Sequence, residues 1–144
     1  MKKYFYFRTV TDQDADDATA DSLMVPVENL VGIEPHNSSN GNAANNLRLY
    51  FKSLNNDYTP TTTDFIIRDI VNISITAGKS KQVIEALGNA MAGGIHTDGI
   101  ITVADDVTTT YLTSSAGADE TVSAVTLDSG ITACGDITIG GALS

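Results

Sequence analysis

A single cysteine, Cys134, is all the thiol chemistry available, so no disulfide can close within the chain and secretion gains no support. A nucleophilic cysteine would want a histidine partner. The two histidines are His36, in a Ser/Asn/Gly-rich loop, and His96, just after a glycine pair, and neither placement argues for a dyad. No run approaches the roughly 20 apolar residues of a membrane-spanning helix. The N-terminus, "MKKYFYFRTV", has the lysines of a secretory signal, but its aromatic run is stopped at once by Arg8, which is too short for a hydrophobic region. Base is missing as well: all eight Lys and Arg lie at or before Lys81, and eight of the 18 acids follow it unopposed. An acidic half of this kind is repelled by phosphate backbones, which counts against general nucleic-acid binding, and the lack of a long apolar run counts against a membrane partner.

What is present is enough apolar residue, 42%, to build one core in a chain of 144 residues. Period-two alternation marks strands. Tyr4 to Val10 sets Phe5 and Phe7 against Tyr4 and Tyr6; Leu23, Val25 and Val27 alternate around Pro26, which points to an edge or a bulge. "LVGIEP" continues that strand as far as Pro35. "NLRLYFKSL" alternates strictly, with Leu47, Leu49 and Phe51 opposite Arg48, Tyr50 and Lys52. "FIIRDIVNISI" puts Phe65, Ile67, Val71, Ile73 and Ile75 on one face. The polar stretches between them, including Asn40-Gly41, read as turns. The period then changes: Val83, Ile84, Leu87, Ala90 and Met91 form a helical stripe over residues 79–92, closed by Gly93-Gly94, and "GIITVA" is a further strand.

The pattern predicts a mainly β, α+β fold: a small twisted antiparallel sheet or partly open barrel with one amphipathic helix, plus a strand/coil C-terminal extension. Residues 1–104 would be the β-rich core domain. Residues 105–144, acidic and rich in Thr, Ala, Ser and Gly, would be an extension suited to act as an arm between subunits, since their small side chains bury little area.

Four features invite chemistry. "ISITAGKS" ends as a phosphate-binding loop does, but counting back from Gly78 puts Ile73 where the first glycine is needed, still inside the strand pattern, so a strand-to-helix junction is the better reading. Asp12, Asp14 and Asp16 have the first spacings of a calcium loop. Asp17 replaces the required glycine and Leu23 the bidentate glutamate, so these three are weak metal candidates on a solvated loop. The acid pairs Asp105-Asp106 and Asp119-Glu120 read as solvated turns. Tyr4, Tyr6, Arg8, Arg48, Tyr50 and Lys52 form the best candidate for stacking and neutralising a single strand of nucleic acid. No catalytic residue and no cofactor site is indicated.

Taken together, "YFYFRTVTDQDADDATADSLMVPVENLVGIEP", "LRLYFKSL" and "GKSKQVIEAL" resemble small proteins of contractile-tailed phages that infect marine cyanobacteria, over about residues 3–104. The resemblance implies a virion component related to Sm-like or head-decoration barrels. It also implies a homo-oligomer that meets other phage virion proteins, in the virion or the host cytoplasm. The expected function is therefore a non-enzymatic, self-assembling structural protein such as a capsid decoration or assembly protein. The alternative is an Sm-like ring that binds single-stranded nucleic acid through the six aromatic and basic residues above.

Overall fold

The computed structural model describes residues 3–12, 16–18, 21–36, 45–52, 67–93, 99–110 and 120–142. Alternation along the chain becomes alternation across sheets. In β1 (Tyr4–Arg8) Phe5 and Phe7 are fully buried, and in β4 (Asn46–Lys52) so are Leu47, Leu49 and Phe51. β5 (Ile67–Ile75) buries Val71, Ile73 and Ile75 and takes Asp69 inward with them, because the pleat and not polarity decides the face. Asp69 stands opposite Phe51 in the ladder and is engaged in interactions of its own.

The other strands are β2 (Ser22–Pro26), β3 (Leu30–His36), β6 (Ile100–Asp105), β7 (Thr109–Thr110), β8 (Glu120–Thr121), β9 (Val125–Thr126) and β10 (Ile131–Ala142). They form a first sheet in the order β2-β1-β6-β9, a second in the order β10-β5-β4-β3, and a separate β7-β8 ribbon. The fold is thus the mainly β α+β class the sequence predicts, with its strands divided between two sheets and no closed barrel. Every pair is antiparallel except β1 with β6. Pro26 ends β2 and Pro35 lies in β3, both edge strands, where a missing N–H leaves no ladder bond unmade.

Between the sheets Phe5, Phe7 and Phe51 meet edge to face or tilted, with ring centroids 6.0 to 6.3 Å apart. The helix α1 (Ser80–Ala92) adds Val83, Leu87 and Ala90 to the same core, with Ile84 and Met91 at its margin. It ends at Gly93, whose φ of 136° suits a residue without Cβ, and Lys3 donates from Nζ to the Ala90 carbonyl at 3.1 Å, satisfying one of the last-turn acceptors. At the junction before the helix, β5 stops at Ile75. A turn then closes through the Lys79 N–H to the Thr76 carbonyl at 3.0 Å, with Gly78 at φ 84° in the position that demands it. Ile73 is held in the ladder between Leu47 and Cys134, so the segment cannot wrap a phosphate.

The boundary expected after residue 104 is crossed by the core. β10 runs alongside β5 in the same chain and buries Ile131, Cys134 and Ile137, so residues that looked too small for a core supply the backbone and a few aliphatic groups that complete it. The expected turns at 37–44 and 55–64, Phe65 and Gly94 lie outside the described residues.

This division of faces predicts that Phe51→Ala loses about 3–5 kcal/mol in urea unfolding, whereas Lys52→Ala, on the exposed side, stays within about 0.5 kcal/mol. Equal effects of the two substitutions would contradict it.

Candidate functional site, a polar cleft at a bulge

Twelve residues of β10 lie along nine of β5, and the excess is absorbed in three register shifts. One falls between Cys134, opposite Ile73, and Ile137, opposite Val71, so Gly135 and Asp136 together face Asn72. This is a bulge, which bends a strand and re-aims its side chains. A Cβ on residue 135 would stand 2.8 Å from the Asn72 carbonyl oxygen, so only glycine lets the strands approach this closely here.

Next to the bulge, the outer face of the second sheet holds a cleft of about 360 Å³. All four strands contribute: His36 from β3, Asn46 and Arg48 from β4, Asn72 and Ser74 from β5, Gly135 and Asp136 from β10. Ladder pairing brings them side by side, Asn46 opposite both His36 and Ser74, and Arg48 opposite Asn72. Arg48 donates from Nε to Asn72 Oδ1 at 3.3 Å, and its Nη2 lies 3.1 Å from His36 Nε2. A guanidinium has only donors, so in this pair Arg48 donates and Nε2 is the acceptor. The arrangement fixes a planar cation between an imidazole and an amide and is suited to binding by hydrogen bonds.

The six residues expected to share one face are split between two. Tyr4, Tyr6 and Arg8 lie on the outer side of the first sheet and Arg48, Tyr50 and Lys52 on the outer side of the second, with the phenylalanine core between them. Most are also engaged. Arg8 donates from Nε to Asp105 Oδ1 at 2.8 Å and from Nη2 to Oδ2 at 2.7 Å, approaches Asp16 at 3.5 Å, and lies 5.9 Å from the Tyr6 ring centroid. The hydrogen bond to Asp105 holds the Arg8 charge more firmly still, and burial pushes the Tyr6 hydroxyl up. Tyr50 donates to Glu34 Oε1 at 2.5 Å, and burial, then that bond, raise its pKa. A bidentate arginine–carboxylate pair leaves little of Arg8 for a phosphate.

Asp105 and Asp106, expected in a solvated turn, are structural instead. Asp105 holds Arg8, and Asp106 accepts from the Cys134 N–H at 2.8 Å, joining the end of the first sheet to β10; burial pushes the Asp106 carboxyl up. Of the calcium-spaced acids, Asp16 is committed to Arg8 and to the Ser22 hydroxyl at 2.9 Å, Asp12 has interactions of its own, and Asp14 lies outside the described residues, as do Asp119 and His96. Among the described residues no group of three or more His, Cys, Asp or Glu could hold a metal ion.

No protein-family model, curated protein or solved structure matches this chain. The cleft therefore rests on its own geometry. Sequence reasoning passed over Asn46, Asn72, Ser74, Gly135 and Asp136, because amides and small residues carry no motif. The one available signal was the glycine inside "ITACGDITI", since an isolated glycine in a strand pattern suggests a bulge.

Cys134, buried beside the cleft, has its thiol pushed from an ordinary 9.0 to about 12, first by burial and then by the charges of Asp106, Asp105 and Asp136. The folded state thus disfavours the thiolate. The stability linked to this group is fully present below pH 9.0 and falls as pH rises from there toward about 12. Alkylation at pH 8 is expected to be slow in the folded protein and fast in urea; equal rates would refute the burial.

Proposed function

We propose that this chain is a non-enzymatic structural protein that self-associates, a virion component such as a capsid decoration or assembly protein. The observation that supports self-association is the state of β2. Proteins guard sheet edges with charge, proline, bulges or brevity. β3 has Glu34, Pro35 and a register shift, β10 has three register shifts and Asp136, and β9 is two residues long. β2 reads Ser-Leu-Met-Val-Pro, without a charge and with proline only at its last position.

Its outward residue Met24 is 48% exposed and stands opposite Tyr6, while Tyr4 stands opposite Pro26 and the exposed Ile100. Among the described residues no strand pairs with the free edge of β2. A second copy is the occupant this edge suits: an uncharged strand meets its own image across a two-fold axis without like-charge repulsion, whereas most of this acidic surface would repel a copy of itself. Antiparallel β2–β2 pairing would join two four-stranded sheets into one of eight. The virion setting rests on the resemblance of the "YFYFRTV…", "LRLYFKSL" and "GKSKQVIEAL" segments to cyanophage proteins.

Light scattering coupled to size-exclusion chromatography tests the proposal. The wild-type chain is expected to run as a dimer or larger assembly and Met24→Lys as a monomer with an unchanged circular dichroism spectrum. A wild type that stays monomeric at high concentration, or a Met24→Lys variant that assembles as before, would overturn it.

A further inference from the structure

We infer that the cleft beside the β10 bulge is a binding site for a neutral saccharide. The first argument is its inventory of hydrogen-bonding atoms. Arg48 gives Nε to Asn72 and Nη2 to His36 and also engages the Tyr50 hydroxyl, and the five N–H donors of a guanidinium outnumber these partners, which leaves donor capacity beside the Asn72 amide Nδ2. Asn46 spends its Nδ2 on Asn45 Oδ1 at 3.0 Å, which leaves its own Oδ1 as an acceptor, and Asp136 adds a carboxylate on an exposed residue. Planar donor and acceptor groups set side by side match vicinal hydroxyls, each of which donates one hydrogen bond and accepts others.

The second argument is charge. The lining carries one cation, Arg48, and one carboxylate, Asp136, and Glu34 lies close by, opposite Arg48 in the ladder. A phosphate or sulfate would have to approach these acids in a chain of net charge −10, whereas an uncharged polyol meets no such opposition. The third is rigidity and size. Every lining residue sits on a strand of one sheet, Arg48 is fixed by two partners, and about 360 Å³ falls in the lower part of the range of roughly 300–1,000 Å³ typical of small-molecule sites. Such pre-organisation lowers the ordering cost of binding. The site faces away from the core on the second sheet, so it is independent of the pairing edge proposed on the first.

The test is a titration with glucose, galactose, mannose, N-acetylglucosamine and their disaccharides, followed by ¹H–¹⁵N spectra that include side-chain amides and the Arg48 Nε–H, with inorganic phosphate as a parallel probe. At least one sugar is expected to produce saturable shifts at Arg48, Asn46 and Asn72. Arg48→Lys, which keeps the charge but loses the fork, and Asp136→Ala, at an exposed position, are each expected to weaken binding about tenfold or more. Both variants should retain the wild-type backbone spectrum, and Met24→Lys should bind sugar as the wild type does. Failure of every sugar to shift these resonances, saturable shifts with phosphate in place of sugar, or sugar shifts that survive both substitutions would overturn the assignment.

Discussion

Three phenylalanine rings hold the two halves of this protein together. Phe5 and Phe7 come from the first sheet and Phe51 from the second, and their centroids lie within 6.3 Å of one another. In a chain with no tryptophan and four phenylalanines, the three largest fully buried side chains meet in that one contact. Its geometry, edges toward faces, is the one aromatic quadrupoles favour. Because β1 and β4 each turn alternate residues into this contact, the intervening residues must point outward, and both outer faces follow from it.

Those two outer faces have different characters. On the first sheet Arg8 is closed off by Asp105, and the remainder, Tyr4, Tyr6, Met24 and Ile100, is largely apolar beside an uncharged edge strand. On the second, Arg48 is held by an amide and an imidazole, with a polar cleft beside it. One arginine is therefore a structural tie and the other an available donor. Their sequence contexts, Phe-Arg-Thr and Leu-Arg-Leu within alternating strands, do not distinguish them. The difference lies in which strand runs alongside: β6 brings a carboxylate to Arg8, and β5 brings an amide to Arg48.

The C-terminal segment shows how far composition can mislead about packing. Its buried residues Ile131, Cys134 and Ile137 fall three apart, a spacing that matches neither a regular strand nor a helix of useful length. Register shifts in β10 account for this, since each extra residue resets which side chain faces inward. A run of Thr, Ala, Gly and Asp buries little by itself, yet it pairs by backbone hydrogen bonds along the whole of β5, and glycine at 135 permits the approach. Asp106 then ties this strand to the end of the first sheet through the Cys134 N–H.

Sequence by itself determined the strands with clean alternation, the helix with its glycine stop, and the edge position marked by Pro26, because those patterns are local consequences of pleat, helical period and proline's missing donor. It also determined that Ile73 lies in a strand and not in a phosphate loop. Only the tertiary structure decided that strands separate into two sheets, that β6 runs parallel to β1, that Asp105 and Asp106 are ties, and that Asn72 comes to face Gly135 and Asp136. The cleft joins positions 36, 46, 48, 72, 74, 135 and 136, from four strands spread over a hundred residues of chain. Juxtaposition of that kind is set by strand pairing and by where a bulge falls, and neither is written in any single stretch of residues.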